Sequence, residues 1–129
     1  ESSLRLKAEA VEAIDELGLG DRFRLVHDTF HHRLAGEARM FPERTGLVHI
    51  SGVDDAALPL ERMRDEHRVL VGPNDVLSNV AQIVALMEGY DGPYSFEPFA
   101  PSVHEADDIA GALAQSMRWI ERAITKVAA

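Results

Sequence analysis

The sequence contains no cysteine. Disulfides and thiolate chemistry are thereby excluded, and any metal ion must be held by oxygen and imidazole ligands. No apolar run approaches the ~20 residues that cross a bilayer, and no signal-peptide pattern is visible. Basic charge is scarce: 13 Lys and Arg face 22 Asp and Glu, for a formal net charge of −9. A nucleic-acid binder needs a basic footprint to neutralise phosphates, and this chain lacks one overall. A Gly-rich phosphate loop of the dinucleotide or P-loop type is also missing. These absences leave a cytoplasmic enzyme or binding protein as the default, with a small molecule as partner rather than nucleic acid or membrane. An initiating Met is lacking too. Glu1 and Ser2-Ser3 run straight into a helical pattern, as in a cut piece of a longer protein, although a processed terminus would look the same.

What is present is an ordinary globular composition. The 129 residues are 46% hydrophobic and 27% charged, which suits one domain over 1–129. Apolar residues at helical spacing predict a helix from Leu4 to Leu17, capped by Ser2 or Ser3 and closed by Gly18 or Gly20. Phe23 to His27 reads as a strand. A short helix is expected around Ala35 to Met40. Leu47 to Ser51 reads as a second strand, followed by a long mixed-charge stretch from Asp54 to Val71. Gly72-Pro73-Asn74-Asp75 opens a helix over Val76 to Met87, with Asn74 or Asp75 as cap. Tyr94 to Phe99 is the third strand, and the last helix runs from about Val103 to Val127. Strands that alternate with helices predict a parallel sheet covered by helices. Three strands cannot close a barrel, but they fit its last three βα units.

In such α/β folds, functional side chains gather at the C-terminal ends of the strands. The first strand ends in His27-Asp28-Thr29-Phe30-His31-His32. The second contains His49, and the third contains Glu97. Taken singly, each has a plain structural role: Asp28 as a helix cap, His49 as a rim residue. Glu97 in an apolar strand is harder to explain that way, because a buried charge asks for a cation. The coincidence of all three at equivalent positions predicts shared metal binding. Carboxylates with one imidazole and no thiolate suit Mn²⁺ or Mg²⁺, with Co²⁺ and Zn²⁺ as alternatives. Such an ion can bind adjacent oxygens of a hydroxy-ketone and stabilise the enediolate left when a proton leaves carbon. A carboxylate beside it can carry that proton.

The segments Asp28-Thr29-Phe30-His31, Leu47-Val48-His49-Ile50-Ser51 and Tyr94-Ser95-Phe96-Glu97-Pro98-Phe99, in this order, resemble the xylose-isomerase-like TIM-barrel superfamily. The sugar phosphate isomerase/epimerase group within it is the nearest in pattern, and Phe96 to His104 looks most like 2-keto-myo-inositol isomerase-type proteins. The resemblance implies the C-terminal part of a (β/α)₈ barrel, about strands six to eight with their flanking helices. It implies Asp28, His49 and Glu97 as metal ligands, with Glu97 also catalytic. His31, three residues after the metal Asp, would contact substrate. Arg68 would do so as well, although the Pro-Gly turn that follows this Arg in the family reads Gly72-Pro73 here. The family's fourth ligand, a Glu on strand five, has no counterpart in the chain.

The resemblance thus implies an isomerase or epimerase acting on a ketose, an inosose or a similar polyol ketone, with this chain as a fragment inactive alone. Two chains assembling a pseudo-barrel, as a homo-oligomer, is the alternative to a fragment. The competing functions are dehydration of a keto-inositol, phosphodiester cleavage at abasic DNA (which the acidic charge disfavours), and a half-barrel with only structural or assembly value. Five further residues carry expectations. His32 should be exposed, and His27 should point away from the barrel interior if Asp28 points in. His104 and Glu105 should start the last helix. Trp119 should pack in a core or interface. The run from Arg62 to Arg68 is a solvated loop or a substrate lid.

Overall fold

The computed structural model describes residues 5–128. The expected caps Ser2 and Ser3, and the expected first helical residue Leu4, lie outside the described residues. The elements follow as α1 (Lys7–Glu16), β1 (Leu25–Asp28), α2 (Thr29–Ala35), β2 (Thr45–Ile50), α3 (Asn79–Leu86), β3 (Tyr94–Phe96), α4 (Pro101–His104) and α5 (Ile109–Ala128). Short 3₁₀ turns occupy Pro42–Arg44, Leu60–Arg62 and Asp65–His67. The three strands form one parallel sheet in the order β1-β2-β3. The alternation of helix and strand predicted from the sequence is therefore the architecture found.

Register fixes which side chains share a face. Asp28 pairs with His49, and His49 pairs with Ser95. Glu97 lies two residues beyond Ser95, so it shares that face. The Glu97 N–H donates to the Ile50 carbonyl at 2.9 Å, which carries the pairing past the end of β3. On the opposite face, Val48 and Ile50 pack with Val71, Ile83, Leu86, Tyr90 and Ile120, joined by partly buried Phe96, Trp119 and Ile124. Trp119 thus packs against the core, as expected. A second apolar cluster of Phe30, Val53, Met63 and Leu77 lies beneath the loop that follows β2. Between Leu25 and Val26 the register slips, so that Gly46 of β2 has no partner residue in β1. A side chain there would meet Arg24, whose Cβ lies 2.7 Å from where a Gly46 Cβ would stand. This is a bulge that glycine permits.

Several boundaries differ from those read in the sequence. β1 begins at Leu25 rather than Phe23, and Phe23 is 55% exposed. α2 occupies Thr29–Ala35 rather than the stretch from Ala35 to Met40. Asp28 caps it by accepting the His31 N–H, and Gly36, at φ 70°, stops it. α3 begins at Asn79, later than Val76, and Ser78 stands at its N-cap. Asp75 instead gathers the backbone N–H groups of Val53, Leu77 and Asn79, which holds the chain in a turn before the helix. The region expected as one last helix is two, α4 and α5. His104 closes α4 rather than opening α5, and its Nε2 lies 3.1 Å from the Pro98 carbonyl. At α1, Gly18 adopts φ 66° and the last carbonyls accept from Gly18 and Leu19, the helix ending expected for a left-handed glycine.

Candidate metal centre

Each candidate ligand reaches the site by a local rule. Asp28 ends β1 on the same face as His49, and its role as α2 cap fixes its carboxylate. Oδ1 accepts the His31 N–H at 3.0 Å, which leaves Oδ2 turned toward the neighbouring strand. His49 Nδ1 lies 4.0 Å from Asp28 Oδ2 and in contact with Glu97 Oε2. One potential ligand atom from each of Asp28, His49 and Glu97 falls within 4.8 Å of the others. All three side chains are partly buried, the most open being Glu97 at 33%. The structure thus brings together the trio that the sequence singled out.

The donor set fits a divalent ion. Two carboxylates and an imidazole converge on one point with no thiolate nearby, the combination expected for a hard or borderline metal. A cluster of two acids held this closely also needs a positive partner. Part of that need is met by Arg68, whose Nη2 donates to Asp28 Oδ2 at 2.7 Å.

Arg68 is placed with unusual completeness for a loop arginine. Its side chain is 2% exposed. Nε donates to Ser51 Oγ at 2.8 Å, and Nη1 donates to Asp65 Oδ1 at 3.1 Å. The guanidinium lies between the rings of Phe30, at 4.8 Å, and Phe99, at 5.0 Å. The Arg68 carbonyl accepts from the Phe99 and Ala100 N–H groups, which ties the loop to the end of β3. The mixed-charge run is therefore anchored at Arg68, while Arg62, Arg64, Asp65 and Glu66 are exposed. Ser51, Asp65, Phe30 and Phe99 were not foreseen from the sequence as the partners of Arg68. Only the position of Ser51 at the end of the expected second strand hinted at it.

The remaining histidines divide differently from expectation. His31 is exposed, its ring meets Phe30 edge-on, and its backbone N–H donates to the Asp28 carboxylate. His32, expected to be exposed, is buried at 9%. Its ring stacks obliquely on His27 at 4.7 Å, and its Nδ1 contacts Lys7 Nζ. Tertiary partners from α1 and β1 thus claim it. His27 does point away from the site, as alternation requires. It is fully buried, with Nε2 2.8 Å from Gln82 Oε1 of α3. Burial pushes the imidazoles of His27 and His32 down to about 4.

Comparison with solved structures decides the family. The chain is similar to a xylose isomerase domain containing protein from Salmonella typhimurium LT2, at 33% identity and a TM-score of 0.72. The match covers 99% of this chain and 47% of that one. The chain belongs to the xylose-isomerase-like TIM-barrel superfamily. The IolI protein, solved with a bound zinc atom, is similar in fold, with a TM-score of 0.73 at 22% identity. That match covers 92% of this chain and 43% of IolI. The chain therefore spans less than half the length of either relative, as its three parallel strands require of a partial barrel. No protein-family model and no curated protein matches it. Among the described residues, no helix is long and apolar enough to cross a membrane.

Proposed function

We propose that this chain supplies the metal-binding end of an isomerase or epimerase that acts on a ketose, an inosose or a similar polyol ketone. The observation that carries the proposal is the convergence of Asp28, His49 and Glu97 at the C-terminal ends of three adjacent parallel strands. That is where a barrel of this kind builds its active site. A divalent ion held there, Mn²⁺ or Mg²⁺ by the donor set, would offset the negative charge that develops when a proton leaves the carbon beside a carbonyl. Glu97, the most open of the three, is the group placed to move a proton between substrate carbons. Arg68 positions Asp28, and its buried guanidinium lies close enough to that carboxylate to add positive charge at the substrate's edge. His31, exposed beside Asp28, is the substrate-contacting side chain in this scheme.

Among its described residues the chain offers three donors, and its relatives are about twice as long. By itself it is expected to bind metal weakly and to turn over little, with full activity requiring the rest of a barrel. The test is titration of Mn²⁺ into the wild type and into Glu97→Gln by calorimetry. The variant should bind at least about tenfold more weakly, the usual scale for losing one ligand or its support. Equal affinity for both would overturn the ligand assignment.

A further inference from the structure

A second cluster of reactive groups lies outside the metal centre, where α1 meets α2. Lys7 sits in the first turn of α1, and its Nζ contacts His32 Nδ1 of α2. Glu37 clamps the same turn: its carboxylate accepts the Lys7 N–H at 2.8 Å and the Ala8 N–H at 2.9 Å. It also stands 3.9 Å from the Lys7 ammonium, whose side chain is only 13% exposed. His27 backs the His32 ring from β1. A hollow of about 330 Å³ opens beside these groups and is also lined by Leu25, Asp28 and His31. An amine, a base in contact with it, a carboxylate that fixes the turn, and a space for a small molecule together make a nucleophile's surroundings.

We propose that Lys7 is a separate reactive amine, with His32 as its base, that condenses with the carbonyl carbon of a small aldehyde to form an imine. In the amine form, the Nζ lone pair attacks the carbonyl carbon and the C=O π pair moves to oxygen, which takes a proton. That proton comes from nitrogen, relayed through His32 Nδ1, and a carbinolamine results. The second N–H proton passes by the same relay to the hydroxyl, the C–O bond breaks, and water leaves as the C=N bond forms. Amine and aldehyde become imine and water, with no oxidant or reductant required. Burial lowers the Lys7 ammonium to about 8, against the Coulombic pull of Glu37. At about pH 7.5 that raises the reactive amine fraction from roughly a thousandth for an ordinary lysine to about a quarter. Burial keeps His32 neutral but also weakens its hold on a proton, so it passes the proton on to oxygen rather than storing it.

The sequence provides its own control, because its only other lysine, Lys126, lies exposed near the end of α5. The full chain would be treated with limiting D-glyceraldehyde and cyanoborohydride at about pH 7.5, which traps the imine as a stable adduct. Peptide mapping by mass spectrometry separates Lys7, Lys126 and the chain's amino terminus. Lys7 should be labelled at least about tenfold faster than Lys126, a margin well inside the shift in amine fraction. Labelling of Lys7 no faster than that of Lys126 overturns the proposal, and this comparison needs no variant. In His32→Gln, with folding checked by circular dichroism, Lys7 labelling should fall several-fold while Lys126 is unchanged. An unchanged Lys7 rate would remove His32 as the base. No metal is added at any stage, so the result does not depend on metal binding at Asp28.

Discussion

Replacing Arg68 with Met tests how firmly the loop after β2 is tied to the metal site. The substitution keeps most of the aliphatic stem between Phe30 and Phe99 but deletes the guanidinium. Three hydrogen bonds are lost, to Asp28, Ser51 and Asp65. They are not equal. The Asp65 side chain is 64% exposed, so its pairing contributes little after solvent screening. The Asp28 side chain is 13% exposed and Arg68 only 2%, so that pair is buried. Removing one member of a buried pair costs about 3–5 kcal/mol, because the other charge stays behind without a partner. Loss of the aromatic contacts adds on the order of 1 kcal/mol. Against a typical stability of ~5–15 kcal/mol this is a large fraction. Urea unfolding, monitored by circular dichroism without added metal, should show a midpoint lower by roughly 1.5–3 M. The Asp28→Asn/Arg68→Met double variant should be less destabilised than the sum of the singles by about 1–3 kcal/mol. A loss below about 1 kcal/mol in Arg68→Met, or strict additivity in the double variant, would refute the description of Arg68 as the buried partner of Asp28.

Three further outcomes follow. His27 and His32 have folded values near 4, lowered chiefly by desolvation, whereas an imidazole in the unfolded chain titrates near ~6.5. The unfolded state therefore binds more protons across that window, so the stability these groups contribute is whole above about pH 6.5 and drains away as the pH falls toward 4. A melting temperature that stays flat from about pH 7 to 4.5 would contradict this. Gly46→Ala puts a methyl against the Arg24 Cβ, an atom that cannot swing aside, and should cost about 1–3 kcal/mol in the same urea assay. Wild-type behaviour there would mean that the bulge relaxes freely. Saturating Mn²⁺, at ~100 times its Kd, should stabilise the wild type by about 2.7 kcal/mol and Glu97→Gln by clearly less; thermal shift measures both.

The strand-end chemistry was legible in the sequence because it depends on short-range rules. Alternation put Asp28 and His49 at comparable places in their strands, and the register of the sheet then set them side by side. Glu97 announced itself as a charge among Phe96, Pro98 and Phe99. Helix α2 was misplaced although its signals were present: Asp28 is followed by a helical run that ends at Gly36. Asp28 reads both as a helix cap and as a metal ligand, and in the structure it is a cap whose second oxygen stays turned toward His49. Asp75 misled in the opposite way, since it resembles a cap but spends its oxygens on the turn before α3. Burial of Arg68 and His32 could not be read locally. Arg68 looks like its exposed charged neighbours, and only Ser51, Phe30 and Phe99, distant in sequence, draw it in. His32 is buried by Lys7 and His27, which come from other elements.

The order β1-β2-β3 also has a consequence for the handling of this polypeptide. Among the described residues, the outer sides of β1 and β3 pair with no strand, so each offers backbone donors and acceptors to any neighbour that can present its own. Val26 and Tyr94, on these edge strands, add apolar surface at 53% and 36% exposure. Two features hold self-association back. The edges are short, four residues in β1 and three in β3, and a net charge of −9 makes copies repel. Of these, only the repulsion is sensitive to salt. Added electrolyte therefore weakens the colloidal protection while leaving the sticky edges intact, and low ionic strength is the condition under which the chain stays dispersed.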